Sequence, residues 1–188
     1  MPGRTPKEAH DAFLTPLIQT LGCLTWEPIQ RDEKPVDVGV TKGITLGLPG
    51  SPVQLNGNLH DGSHPALFVG IEYVIVENSD AEQAAERFRV STRKYTQHVY
   101  NSLREDVLLY HWHPGTAYDG PHLHMGRTQL GGNPAVPAGA HIPTARVAVE
   151  SLALFLIEEL GVEPIHATYS EIIRPHLANF VQHRNWHA

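Results

Sequence analysis

The stretch from Val107 to Gly126 constrains the fold of this chain more than any other, because it has the pattern of two strands joined by a turn. Apolar and aromatic residues fill 107–112, a composition that suits a pleated, half-buried strand. A turn rich in Pro, Gly and Asp follows over 114–121, and a shorter strand begins after Pro121. We therefore predict a β-hairpin at this point in the chain.

Each strand of the predicted hairpin carries a His-x-His pair, His111 with His113 and His122 with His124. Residues two apart in a strand point to one face, and opposite residues of paired strands lie roughly 5 Å apart at Cβ. Four imidazoles can then converge on one patch. Four His side chains suit a transition metal such as zinc or iron, and they equally suit a general acid–base pair, because His titrates near neutral pH. Ordinary solvent-facing histidines are the third interpretation.

A basic strand precedes the hairpin. Residues 87–104 contain five basic side chains and no acidic one, and strict alternation over 87–101 puts Arg87, Arg89, Arg93 and Tyr95 on one face. Arginines at this spacing can hold phosphates, and Tyr95 can stack on a base. The alternative is a solvated face whose cations protect a sheet edge.

The remaining patterns predict an α+β fold in a single domain. Thr5 and Glu8 form a capping pattern for a helix within 1–22, and the run from Leu67 to Val76 is apolar on both faces, as in a central strand. Thr144 is the predicted cap of a helix over 145–160, and a last helix follows over 168–183. We expect a mostly antiparallel sheet with its core over 67–127, with about three helices, including the C-terminal pair within 145–184, packed mainly on the face away from the histidines.

Composition supports a globular protein and narrows its surroundings. The chain has 188 residues, of which 41% are hydrophobic and 18% charged. A single cysteine, no signal-peptide pattern and no long apolar run lead us to expect a cytoplasmic protein without a membrane partner. The formal net charge of −6 argues mildly against generic binding to nucleic acid.

Two acidic or imidazole side chains outside the hairpin are weaker candidates. The irregular stretch from Gly126 to Pro143 directly follows the second histidine pair, so it can cover the patch, and His141 at its end is a candidate fifth imidazole. Glu150 interrupts an otherwise apolar helix pattern, and we expect it to face solvent.

The stretch from Arg87 to Gly126 resembles the TumE type of toxin–antitoxin protein. The resemblance consists of a strand with spaced aromatics (Tyr95 and Tyr100), then an apolar strand ending in 110–114, then 121–124. It implies a small growth-inhibiting protein that has an antitoxin partner and acts on nucleic acid. The first 80 residues and the helix over 145–160 lie outside the resemblance, and the acidic balance departs from it.

Two other histidine families fit less well. A cupin motif continues from His-x-His to a nearby Glu, whereas the pair at His122 and His124 is followed by Gln129; a His-triad hydrolase needs a third alternating His at position 126, which is Gly. Nucleophile-elbow, P-loop, dinucleotide-binding and zinc-protease motifs are absent from the sequence.

The leading functional prediction is a ribonuclease-like hydrolase. One of His111 or His113 takes the 2′-hydroxyl proton, one of His122 or His124 protonates the leaving oxygen, and the arginines hold the phosphate. One alternative is a cupin-like enzyme that binds a transition metal and acts on a small molecule. The other is an interaction protein with no catalytic role.

Overall fold

The structure is a computed structural model and describes residues 2–79, 86–132, 135–137 and 139–183. Over these residues the chain is α+β, as predicted. The helices are α1 (Pro6–Gly22), α2 (Val149–Glu158) and α3 (Tyr169–His183), with a 3-10 turn at Arg127–Leu130. The strands are β1 (Pro2–Gly3), β2 (Gln30–Arg31), β3 (Thr41–Leu46), β4 (Val53–Gln54), β5 (Ala66–Glu77), β6 (Phe88–Tyr100), β7 (Asp106–Trp112), β8 (His122–Met125) and β9 (Ile142–Pro143).

The strands form one sheet in the order β2-β3-β5-β6-β7-β8-β9, while β1 pairs with β6 and β4 with β5. All of these pairs are antiparallel, and an isolated parallel bridge joins Val38 to Ile75. The long central strands β5 and β6 pair over their whole lengths. The His-bearing hairpin β7–β8 therefore extends a rigid sheet rather than standing alone.

The described helices cover one face of the sheet, which we call the helix face. Leu14 and Leu17 of α1, Leu152 of α2 and Ile173 of α3 are buried in one cluster with sheet residues such as Tyr73. The opposite face carries the histidines and is called the histidine face. None of the described helices is both long and apolar enough to cross a lipid bilayer.

The N-terminal helix follows its sequence signals. The Oγ1 atom of Thr5 accepts a hydrogen bond from the amide of Glu8, so the predicted cap is confirmed. The helix continues through Pro16 to Gly22.

The predicted start of the second helix is wrong. Helix α2 begins at Val149, and its cap position is Ala148 rather than Thr144. The backbone of Val147 is tied to the sheet, because its amide donates to the Tyr95 hydroxyl (3.3 Å) and its carbonyl accepts from Gln97 Nε2 (2.8 Å). The next residue, Ala148, has an extended backbone (φ −70°, ψ 149°), so the helix begins only after it.

A β-bulge breaks the alternation predicted for the basic strand. Tyr73 pairs with Thr92 whereas the adjacent Glu72 pairs with Lys94, so Arg93 is the extra residue. Before the bulge, Arg89 lies on the histidine face; after it, Tyr95 lies on the helix face. The shared face expected for the arginines and Tyr95 is therefore not formed.

Candidate metal site

The predicted hairpin forms, and its register brings the histidines together. His111 pairs directly with His122, and Leu109 pairs with His124, so alternation puts all three histidines on the histidine face. Strand β9 pairs with the outer edge of β8, opposite His122 and Leu123. The cluster thus lies on the last strands of the sheet, away from the packed helices.

Three imidazoles form the histidine cluster, His111, His122 and His124. One ring nitrogen from each lies within 4.8 Å of the other two. The Nε2 atoms of His111 and His124 are 2.9 Å apart. Ligand nitrogens on a tetrahedral zinc ion are about 3.3 Å apart, given bonds of about 2.0–2.1 Å. The separation of the His111 and His124 nitrogens is therefore close to that of two ligands on one metal ion.

His122 is the most constrained member of the cluster. Its side chain is only 2% exposed, and its Nδ1–H donates to the carbonyl oxygen of Gly120 at 2.7 Å. A proton on Nδ1 leaves the lone pair of a neutral imidazole on Nε2. That Nε2 atom is buried and has no hydrogen-bond partner. A buried nitrogen with a free lone pair, oriented by a backbone carbonyl behind it, is the arrangement expected of a metal ligand.

The electrostatics at His111 and His124 favour the neutral imidazole, which is the form that binds metals. Burial, together with the neighbouring His122 and His124, lowers the pKa of His111 to about 4. Burial is also the main cause that lowers the pKa of His124, while hydrogen bonds from the ring to the backbone at Gly139 and Ala140 oppose the shift. Those backbone contacts tie the loop before β9 to the cluster.

The fourth predicted member, His113, lies beside the cluster. Its ring centre is 5.1 Å from that of His111, but its Nε2 hydrogen-bonds with Thr96 Oγ1 at 3.0 Å. Burial, and then the nearby Lys94, lower the pKa of His113. This side chain is next to the cluster without sharing its three-nitrogen geometry, so the structure brings together three of the four predicted histidines.

The loop histidine, His141, borders the cluster on its other side. Its ring centre lies 4.7 Å from those of both His122 and His124, and it stacks on Tyr118 at 5.0 Å. Tyr118 also makes an edge contact with His122, at 4.6 Å. The two loops that follow β7 and β8 thus wall the cluster with one aromatic ring each. Tyr118 was not predicted, since nothing in its turn sequence distinguishes it.

Tyr95 does not share a face with the arginines of the predicted phosphate-binding set. Arg87 is exposed and its guanidinium lies over the Phe88 ring, 5.2 Å from its centre. Arg93 is the exposed bulge residue, and Tyr95 is only 4% exposed, with its ring near Trp112 on the helix face. A ring buried in this way cannot stack on a base. The phosphate-binding role of the arginines stays a prediction.

Comparisons with known proteins found no match. The chain matches no family model, and no curated protein or solved structure resembles it significantly.

Proposed function

We propose that the chain is a zinc-dependent hydrolase in which His111, His122 and His124 hold the metal. The observation that carries the proposal is the buried Nε2 of His122, which has no partner and is oriented by the Gly120 carbonyl toward two further imidazoles. His111 and His124 share a hydrogen bond at 2.9 Å between their Nε2 atoms. Binding a metal through both Nε2 atoms would replace that bond, and the bridging proton would move to the Nδ1 atom of its own ring.

The donor set favours zinc over iron. The cluster consists of three imidazoles with no carboxylate among them. Three protein ligands with one further open position are typical of catalytic zinc, whereas non-haem iron typically takes two histidines and one carboxylate. Zinc bound in this way would polarise a substrate oxygen and lower the pKa of a bound water to about 7.

The surrounding residues have separate tasks in this proposal. His113, held by Thr96 and 5.1 Å from His111 between ring centres, lies outside the ligand set and is available to take or return a proton. Tyr118 and His141 contact His122 from the side and would limit the size of a substrate that reaches the metal. A small polar substrate suits a site enclosed by two loops. Cleavage of RNA as a toxin component remains a prediction, and no specific contact favours it.

The experiment compares two chromogenic substrates, 4-nitrophenyl acetate and bis(4-nitrophenyl) phosphate, with metal-free and zinc-loaded protein. We expect zinc to raise the rate on at least one, and His122→Ala to lower that rate about 100-fold or more. His64→Ala is the matched control, because His64 is exposed and hydrogen-bonds with the Gly57 carbonyl in a loop outside the cluster. Equal rates with and without zinc on both substrates, or full activity of His122→Ala, would contradict the proposal.

A double-mutant cycle tests whether His113 belongs to the same unit. If it transfers a proton for the zinc-bound group, His113→Ala and His122→Ala should each remove most activity, and the double change should cost little more. Additive small losses, or a loss of stability without a specific loss of activity, would assign His113 a structural role.

A further inference from the structure

A large cavity lies on the helix face, on the opposite side of the sheet from the histidine cluster. It has a volume of about 960 Å³, within the usual range for ligand sites, and Tyr95, Gln97 and Trp112 line its sheet side. The segment from Arg146 to Glu150 and the apolar Phe13 line the facing side. The cavity also reaches residues 90–93 of β6, which lie between the β1 and β7 pairings and have no strand partner on that edge within the described chain.

Gln97 presents an unsatisfied acceptor to this cavity. Its side chain is 1% exposed, and its Nε2–H donates a hydrogen bond to the Val147 carbonyl at 2.8 Å. Its Oε1 atom is buried and has no hydrogen-bond partner. Leaving a buried carbonyl unpaired costs free energy, so the arrangement is explained most directly by a donor that enters the cavity.

Glu150, three residues after Val147, presents a second acceptor to the cavity. It is 4% exposed, and the sequence-based expectation that it faces solvent is wrong. Burial raises the pKa of its carboxyl, and its own backbone amide supplies its one hydrogen bond in the described chain. A buried carboxyl without a basic partner favours a ligand that brings an N–H donor.

Arg146 places a positive charge in the same cavity, next to Trp112. Its guanidinium lies 4.1 Å from the centre of the Trp112 ring and is half buried, and no carboxylate pairs with it in the part of the chain that the structure describes. Trp112 pairs with Tyr95, two residues before Gln97, so Gln97 is its diagonal neighbour across the strands, about 7–8 Å away. One small molecule can therefore place an anionic group beside Arg146 and an N–H donor beside Gln97.

We propose that this cavity binds a small, flat amino-substituted carboxylic acid. Its carboxylate pairs with the Arg146 guanidinium, whose planar fork fits a carboxylate. Its N–H group donates to Gln97 Oε1 and to the Glu150 carboxyl, and its body lies between Trp112 on the sheet side and Phe13 on the facing side. The site uses none of the cluster histidines, so it is independent of the proposed hydrolase activity.

The probe is 4-aminobenzoate, a planar molecule with an amine at one end and a carboxylate at the other. Benzoate lacks the donor and aniline lacks the carboxylate, so the three compounds separate the two ends of the site. We expect 4-aminobenzoate to bind the full chain at least about tenfold more tightly than either control, by calorimetry or ligand-observed NMR. Equal binding of all three, or no binding of 4-aminobenzoate at about 10 mM, would overturn the proposal.

Variants locate the binding. Arg146→Met and Glu150→Gln should each weaken 4-aminobenzoate binding about tenfold, and Arg146→Lys should weaken it less than Arg146→Met, because it keeps the charge. Glu171→Gln is the matched control for Glu150→Gln, since Glu171 lies in the first turn of α3 but is exposed. A thermal melt identifies any variant that fails to fold. If a variant at one of the two positions, Arg146 or Glu150, does not fold, the folded variant at the other position tests the proposal. Unchanged affinity in the folded variants at Arg146 and Glu150 would contradict it.

Discussion

Gly126 holds the second histidine strand close to the first, and replacing it tests how the site is positioned. Its backbone has φ −61° and ψ 145°, which any residue can adopt, so conformational freedom is not the reason for glycine here. A Cβ atom at this position would overlap the carbonyl oxygen of Asp106. Glycine is needed because the backbone just after His124 passes close to the backbone of Asp106 in the neighbouring strand.

The cost of Gly126→Ala follows from that overlap. Relief requires the strands to move apart, which strains the 3.0 Å hydrogen bond from the Gly126 amide to the Val107 carbonyl. Losing a buried backbone hydrogen bond costs about 1–3 kcal/mol, and overpacking costs about 1–3 kcal/mol more. We expect a loss of roughly 2–6 kcal/mol in the free energy of unfolding, or a fall in Tm of at least about 4 °C.

Urea denaturation of Gly126→Ala, with Gly132→Ala as its control, measures this loss. A Cβ atom on Gly132 would meet nothing within 4 Å, so that variant should stay within about 0.5 kcal/mol of the parent. Zinc affinity should fall in Gly126→Ala as well, because His124 is two residues away. If both glycine variants have the same stability and the same zinc affinity as the parent, the close approach does not position the site.

Three further predictions concern the core, the buried carboxyl and the basic strand. Leu156→Ala should destabilise the fold by about 2–5 kcal/mol because Leu156 is fully buried, whereas Leu103→Ala, at a residue 75% exposed, should change little in the same urea titration. The pKa of Glu150 is raised above 4.5 in the folded state, so the parent loses stability as pH rises from that value toward the folded-state pKa. Glu150→Gln should remove this loss. The stability of the variant relative to the parent should therefore be greater at pH 7 than at pH 4. If the arginines hold RNA, replacing Arg89 and Arg93 with Ala should weaken its binding and flatten its salt dependence, and an unchanged salt slope would mean an ordinary solvated surface.

The hairpin was predictable because its signals are local. A His-x-His pair on each strand, a turn of Pro, Gly and Asp, and the period of two together specify the shared face. The register that puts His111 opposite His122 depends on the turn and on strands β6 and β9, which the sequence does not reveal. The pattern therefore predicted four converging imidazoles, while the structure brings three within ligand distance.

The basic strand shows what a period of two cannot reveal. A bulge adds one residue without changing the local composition, so the alternation through Arg93 appears continuous in the sequence. Only pairing with β5 shows that Glu72 and Tyr73 oppose Lys94 and Thr92. The change of face at this point moves Tyr95 into the core.

The start of α2 and the burial of Glu150 were missed for a similar reason. Thr144 is a good cap by type, but the sheet residues Tyr95 and Gln97 bind the Val147 backbone and delay the helix to Val149. This shift places Glu150 in the first turn, facing the cavity instead of solvent. Such contacts are distant in sequence and leave no local pattern.

Zinc stoichiometry and affinity in the ligand variants test the central claim most directly. Metal-free full chain is titrated with zinc by calorimetry, and elemental analysis of the product counts the bound metal. The account predicts about one zinc per chain, an affinity at least about 100-fold lower in His122→Ala, and a much smaller change in His113→Ala, whose nitrogen bonds Thr96 instead. A chain that binds no zinc, or a His122→Ala variant that binds it as tightly as the parent, would contradict the account.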